Sequence, residues 1–162
     1  MPCPVDLGRL SRGEAIAAAS GLVLLVVMFL PWFSEKAPVE IPGLPTRDIT
    51  QATHNAWQSL GAIDLLLLLV VALVVGAALA HAAGLGPSDP ALPPALFVTA
   101  AGLLAVLVIL YRLLDPPGST LDPSIGQVDV GRRLGILLGL LAAAGISFGG
   151  YLTLVEGRRE GR

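Results

Sequence analysis

Four long apolar runs constrain the fold of this 162-residue chain more than any other feature. They are Ala15–Phe33, Leu60–Ala80, Ala95–Leu114 and Leu134–Val155. Each has about 20 residues, and at about 1.5 Å of rise per residue a helix of that length matches the roughly 30 Å of hydrocarbon in a bilayer. The runs therefore predict four transmembrane helices.

Composition supports a membrane protein. Charged residues make up 14% of the chain and hydrophobic residues 54%, whereas a soluble domain carries about 25% charged residues. The mean hydropathy is +0.79, and the apolar residues form blocks instead of recurring with a core-facing period. We expect an all-α, multi-pass protein of the cell membrane, in which residues 1–162 form one antiparallel bundle of four transmembrane helices.

The first apolar run has a secretory signal peptide as its alternative, because Arg9 and Arg12 precede it. It is longer than the roughly 7 to 15 apolar residues of a signal peptide, and no small-x-small cleavage site follows it. We therefore expect a retained helix. Cys3 is the only cysteine, which excludes an intrachain disulfide and a metal site built from cysteines.

The connections between the runs indicate how the helices are ordered. The longest one, residues 34–59, contains three prolines that interrupt regular structure, and its pattern does not decide whether it is ordered. Near its end, Asn55 and Gln58 have the spacing of a capping box for the second helix. The short connection HAAGLGPSDP predicts that the second and third helices are antiparallel neighbours.

The charge distribution leaves the orientation open. If both termini are cytoplasmic, the inner side carries Arg9, Arg12, Arg158, Arg159 and Arg162, and the outer side carries Lys36, Arg47, Arg112, Arg132 and Arg133. The positive-inside count is therefore tied. We expect cytoplasmic termini because the long loop with its tryptophans suits the outer face. Trp32, Trp57 and Tyr111 are the expected anchors at the membrane interfaces.

The fourth run contains a stripe of small residues with a spacing of four. Its members are Gly131, Gly135, Gly139, Ala143 and Ser147, and Gly145 with Gly149 forms a second pair. In lipid, small residues let helix backbones approach and gain van der Waals contact. The stripe predicts close packing against another helix of the chain or against another subunit. The alternative is that a composition rich in Ala and Gly produces the spacing by chance.

Two charges lie just inside apolar runs. Asp64 is about 6 Å beyond the start of the second run, and Arg112 is the third residue from the end of the third. Because these helices are predicted to be antiparallel, both side chains should lie at the same membrane surface. We expect an interhelical ion pair, in which each charge offsets the desolvation of the other.

Two alternatives to the ion pair remain open. Arg112, beside Tyr111, and Asp64 could each reach the headgroup layer separately. Asp64 could instead bind a proton or a cation in a pocket shared with His54, Asp115 or Arg132, since carboxylates within membranes often mark ion pathways.

Motifs for other chemistry are missing from the sequence. It contains no Gly-rich phosphate loop, no nucleophile elbow and no basic stripe for nucleic acid. His81 has no second metal ligand at usable spacing. We therefore expect no enzymatic activity, no cofactor, no metal and no nucleic-acid partner.

Four sequence motifs carry a resemblance. They are LPWFS at the end of the first run, NAWQS with a following Asp before the second, YRLLDPPG after the third, and LGLLAAAGISFGGYL in the fourth. Together they resemble small four-pass bacterial membrane proteins of unknown function. The resemblance covers most of the chain outside the terminal tails and the middle of the first loop. It implies a bundle in the cytoplasmic membrane and no known activity. The arrangement of four spans, with a tryptophan-bearing first loop as the longest connection, is also similar to that of claudin-like tetraspans. The paired loop cysteines of claudins are absent here.

Two functions follow from these features. The first is a structural or assembly subunit that uses small-residue helix packing, with the lipid bilayer, a second copy or another membrane protein as its partner. The alternative is a small channel or transporter subunit with Asp64 as its proton or cation site. The sequence identifies neither a substrate nor an oligomeric state.

Overall fold

The computed structural model describes Gly8 and residues 10–39, 47–59, 61–84, 94–115, 129–132 and 134–160. Its helices are α1 (Arg12–Val27), α2 (Ala56–Ser59), α3 (Ala62–Ala82), α4 (Pro94–Leu114) and α5 (Leu134–Glu160). Its strands are β1 (Pro31–Val39), β2 (Arg47–Asn55) and β3 (Asp129–Arg132). Cys3, Arg9, Pro42, Pro45, Arg133 and most of the predicted turn between α3 and α4 lie outside the described residues.

The four long helices are antiparallel neighbours in a ring. Gly13 at the start of α1 lies against Gly149 near the end of α5, and Gly102 of α4 lies against Ser147 of α5. Helix α1 also packs on α3, and α3 completes the ring by contacting α4. The closest packing joins α5 to α1 and to α4, whereas α3 and α4 pack least closely.

Three of these helices are long and apolar enough to cross a membrane within the described part of the chain. They are Ile63–Ala82, Pro94–Leu114 and Leu134–Arg159. Helix α1 has only 16 residues, so the predicted helix over Ala15–Phe33 is too long at its C-terminal end. The physical reason is Pro31, which has no backbone N–H and disfavours a helical conformation in the residue before it.

The chain after α1 forms a three-stranded antiparallel sheet in the order β2-β1-β3. An entirely helical fold was expected, so the sheet corrects that part of the prediction. Pro38, expected to interrupt regular structure, lies in β1 opposite Asp48, and Ser34 of β1 pairs with Gly131 of β3. The sheet therefore joins the connection after α1 to the one before α5. We call the end of the bundle next to the sheet the sheet end, and the opposite end the terminal end.

Local signals account for the observed helix boundaries. Ser11 caps α1 by accepting a hydrogen bond from the Glu14 amide, and the Glu14 carboxylate accepts one from the Ser11 amide, which is a capping box. The predicted second helix, Leu60–Ala80, is observed as α3, which begins and ends two residues later, and a separate short helix, α2, directly follows Asn55. Gly61 has φ +56°, a left-handed conformation that favours glycine.

The protein interior is apolar and is formed mainly by the inner faces of the long helices and the start of β1. Large side chains that are fully buried include Leu24, Met28, Trp32, Phe33, Leu67, Ile109, Ile136 and Ile146. Leucines on the opposite helix faces are exposed on the protein surface, among them Leu69, Leu73, Leu103, Leu107 and Leu141. Such an apolar exterior on long helices is what contact with lipid requires.

Candidate functional site

Asp64 is the only charged side chain that is buried among the described residues. It is the third residue of α3, at the sheet end, and 2% of its surface is exposed. Neither carboxylate oxygen has a hydrogen-bond partner within the described part of the chain. A buried carboxylate normally accepts several hydrogen bonds. Its position in the first turn of α3 also provides the favourable partial charge of a helix N-terminus.

Arg112 is the charged group that acts on Asp64 from the neighbouring helix. It lies in the last turn of α4, and its positive charge reaches the Asp64 carboxylate electrostatically. The two side chains form neither a hydrogen bond nor an ion pair, and the Arg112 Nε is itself buried without a partner. The expected interhelical ion pair is therefore not formed, and α3 and α4 are the neighbouring long helices that pack least closely.

The surroundings of the two charges differ. Asp64 is enclosed by protein atoms, so its side chain does not extend outward by itself, as the separate-charge alternative requires. Arg112 is only half-buried, and its guanidinium carbon lies 6.0 Å from the centre of the Tyr111 ring. Tyr111 is exposed, and its hydroxyl donates a 3.0 Å hydrogen bond to Asp115.

The remaining residues of the expected pocket are spread over several elements. Asp115 is exposed immediately after α4, and His54 is the β2 residue that pairs with Phe33 of β1. The backbone of Arg132 lies in β3 opposite Phe33, and its side chain is outside the described atoms. Within the described residues, no group of three or more His, Cys, Asp and Glu could hold a metal ion.

The two tryptophans expected at the membrane interface have different positions. Trp32 is fully buried, and its indole N–H donates a 2.8 Å hydrogen bond to the Val27 carbonyl. It therefore does not face lipid as an interface anchor would. Trp57 of α2 is half-buried, its ring centre is 5.8 Å from that of Phe29, and its indole nitrogen is buried without a partner.

The small residues expected to form one stripe on the fourth helix contact different partners. Gly131 is not on the helix, because it lies in β3. A Cβ on Gly135 would meet the Pro31 carbonyl, and one on Gly139 would meet the Trp32 ring. Further along the helix, Ala143 is fully buried, and the Ser147 backbone lies against Gly102 of α4.

The closest helix contacts involve glycines on both sides of α5. A Cβ on Gly149 would lie 2.5 Å from the Ala17 backbone nitrogen of α1, and one on Gly150 would lie 2.8 Å from the Thr99 backbone nitrogen of α4. The pair Gly145 and Gly149 signalled the first of these contacts in the sequence. The contact of Gly150 with α4 was not predicted from the sequence. The sequence signal for it is that Gly150 lies directly beside Gly149, so that α5 has a glycine for a second neighbouring helix.

Another contact missed by sequence reasoning lies at the terminal end. A hydrogen bond joins His81 Nδ1, near the end of α3, to Glu14 Oε1 in the first turn of α1. The two residues are 67 positions apart in the chain, so only the antiparallel packing of α1 and α3 brings them together. The hydroxyls of Ser11 and Thr153 also approach to 3.4 Å at this end.

Comparisons with known proteins do not identify the chain. No protein-family model matches it, and no curated protein matches it either. The function is therefore argued from the arrangement of the residues. Among the described residues, the protein has three helices that are long and apolar enough to cross a membrane and one buried carboxylate at the sheet end.

Proposed function

We propose that the chain is a non-catalytic structural or assembly subunit of the cytoplasmic membrane. In this proposal all four long helices cross the bilayer, both termini are cytoplasmic, and the sheet lies on the outer side. Helix α1 contributes about 24 Å of helix at about 1.5 Å per residue, and exposed Phe29 and Leu30 extend its apolar surface. The resemblance to small four-pass bacterial membrane proteins supports the same arrangement.

One observation carries the proposal: α5 is in backbone contact with α1 and α4 through glycines. Glycine lets two helices approach until their backbones touch, and the van der Waals contact then stabilises the pair in lipid. A bundle packed in this way has little freedom to open. It is suited to holding a fixed shape in the membrane and to presenting the sheet at one surface.

The polar side chains of the bundle interior also favour a structural role. The hydroxyls of Thr99, Ser147 and Thr153 each donate to a carbonyl four residues earlier in their own helix. Buried polar or charged side chains among the described residues are limited to Ser34 and Asp64, which both lie toward the sheet end. The described residues therefore form no polar path along the bundle, which a conduit requires.

Site-specific photocrosslinking in native membranes tests the assembly role. A photoreactive amino acid replaces Leu107, which is 63% exposed on α4, and the control replaces Ile109, which is 1% exposed on the same helix. We expect one discrete protein adduct from position 107 and none from position 109. The same scan covers Leu69 of α3 and Leu141 of α5, which are also exposed. Lipid adducts alone at all three exposed positions would contradict an assembly role.

A second candidate function, a channel or transporter subunit, is favoured by one observation. The Asp64 carboxylate is buried without a hydrogen-bond partner among the described residues, as a proton or cation site would be. Arg112 counts against a bound cation, because its positive charge acts on the same carboxylate. Proteoliposomes that contain the protein would show proton, sodium or potassium flux, and Asp64→Asn would abolish it, if this function were correct.

A further inference from the structure

We propose that Asp64 and Arg112 bind the headgroup of a zwitterionic phospholipid with a primary amine, phosphatidylethanolamine, at the sheet end between α3 and α4. The ammonium group donates to the Asp64 carboxylate, and the phosphate accepts from Arg112. This binding site goes beyond the proposed function and does not depend on it.

The unpartnered polar atoms at the sheet end define the chemistry of the ligand. Both Asp64 oxygens need donors, and the Arg112 Nε needs an acceptor. The Trp57 indole nitrogen, five residues before the start of α3, is a further buried donor without a partner. Buried polar groups in native proteins are nearly always hydrogen-bonded. Since the described part of the chain supplies no partners, a molecule with both donors and acceptors fits this end of the bundle.

The charges favour a zwitterion over a simple ion. A lone cation at Asp64 is repelled by Arg112, and a lone anion at Arg112 is repelled by Asp64, in surroundings where such interactions are stronger than in water. A molecule with one positive and one negative group satisfies both residues at once. It also separates them, which agrees with two opposite charges that interact electrostatically without touching.

The position of the two residues favours a lipid as the source of the zwitterion. Asp64 is the third residue of one apolar helix, and Arg112 is third from the end of its antiparallel neighbour. Both therefore lie close to where the hydrocarbon core meets the headgroups. Helices α3 and α4 pack least closely of the neighbouring pairs. Leu65, which follows Asp64, and Leu114, two residues after Arg112, are exposed for contact with acyl chains.

The amine decides between the zwitterionic lipids. A primary ammonium has three N–H donors, as a lysine does, whereas the quaternary ammonium of phosphatidylcholine has none. The Asp64 oxygens therefore gain hydrogen bonds only from phosphatidylethanolamine. Successive N-methylation of the headgroup should weaken binding in steps, with no change in charge, in the phosphate or in the acyl chains.

The experiment is native mass spectrometry of the full chain in nanodiscs of equimolar palmitoyl-oleoyl phosphatidylethanolamine and phosphatidylcholine. We expect the wild-type protein to retain the ethanolamine lipid about tenfold more than the choline lipid, a preference equivalent to about 1.4 kcal/mol. Asp64→Asn and Arg112→Gln should each reduce this preference to near unity. Asp115→Asn removes an exposed carboxylate at the same end, and it should leave the preference unchanged.

Three outcomes would overturn the proposal. The first is equal retention of the two lipids by the wild-type protein, which needs no variant and so does not depend on how the variants fold. The second is the same preference in Asp64→Asn as in the wild type. The third is loss of the lipid preference when soluble glycerophosphoethanolamine is added at millimolar concentration, which would show that the site takes a free zwitterion. A graded loss of retention across the mono-, di- and trimethylated lipids would support the proposal.

Discussion

Trp32 of β1 occupies the space that Gly139 of α5 leaves by having no side chain. A Cβ at position 139 would lie 2.9 Å from the Cζ2 and 3.0 Å from the Cη2 of the indole ring. Trp32 is fully buried, and its N–H donates to the Val27 carbonyl just before β1 begins. The indole thus connects the sheet, the end of α1 and α5, which is why β1 has a fixed position on the bundle.

A mutational cycle tests the contact between Trp32 and Gly139. Gly139→Ala should destabilise the protein by about 1 to 3 kcal/mol, because the ring must shift to accept the new methyl group. Trp32→Phe also destabilises the protein, since it removes a hydrogen bond and leaves a cavity. In the Trp32→Phe background, Gly139→Ala should cost close to nothing, because the ring atoms that it would meet are gone. The free energy of unfolding in detergent measures the coupling.

The matched control for this cycle is Gly102→Ala. A Cβ at position 102 would meet the backbone of Ser147 instead of Trp32, so its effect should add to that of Trp32→Phe without coupling. If Gly139→Ala lowered the free energy of unfolding equally in both backgrounds, the indole would not be what limits the space at this glycine.

Backbone contact between α1 and α5 leads to a second prediction. A Cβ on Gly149 would lie 2.5 Å from the Ala17 nitrogen and 2.7 Å from the Gly13 oxygen, and a backbone cannot move aside as a side chain can. Gly149→Ala should therefore destabilise the bundle by at least about 2 kcal/mol.

Gly76→Ala is the control for Gly149→Ala, because nothing lies within 4 Å of an added Cβ there. It should be neutral or slightly stabilising, since alanine favours a helix over glycine by up to about 1 kcal/mol. Unfolding in SDS titrations compares the two variants. Equal stability of both would mean that α1 and α5 do not rely on the close approach at Gly149.

The sequence predicted the long helices after the first loop well and the sheet not at all. The α4 helix differs from its predicted range by one residue, and α5 begins at the predicted Leu134. The reason is that an unbroken apolar run in a membrane protein has few alternatives to a helix. The strands were missed because β1 begins within the last residues of the first apolar run and contains Pro38. One of its partners, β3, comes from the distant connection before α5, and only the packed bundle brings this connection to β1.

The candidate site was predicted in part. The antiparallel order of α3 and α4 was enough to place Asp64 and Arg112 at the same end. Whether they touch depends on the distance between the two helices, which the local pattern of residues does not encode. The burial of Trp32 was missed for a similar reason: glycines at positions 135 and 139 were interpreted as contacts for another helix, whereas the structure fills that space with an indole.

A third prediction concerns the stability of the buried carboxylate. Asp64→Asn should leave the protein unchanged or stabilise it, by on the order of 1 kcal/mol, in detergent without phospholipid. The reason is that Asp64 pays for desolvation of a charge without receiving hydrogen bonds from the described residues. A double-mutant cycle of Asp64→Asn with Arg112→Gln should give a coupling below about 1 kcal/mol, because the side chains do not touch. A larger coupling, with Asp64→Asn strongly destabilising, would show that a direct ion pair forms in the membrane protein.

The fourth prediction concerns the contact between Glu14 and His81, which joins α1 to α3 at the terminal end. Glu14 uses Oε2 for the capping box and Oε1 for His81. A glutamine removes the charge and one acceptor oxygen, so it can keep both contacts only if its NH2 group donates to an unprotonated Nδ1 of His81. The side chains are 20% and 50% exposed, which limits their coupling to about 0.5 to 1 kcal/mol. Unfolding of Glu14→Gln, His81→Gln and the double variant measures this coupling. Glu156→Gln on α5 serves as the control for the loss of a carboxylate and should not couple to His81→Gln. Purely additive effects of Glu14→Gln and His81→Gln would leave Ser11 as the only partner of Glu14 that contributes to stability.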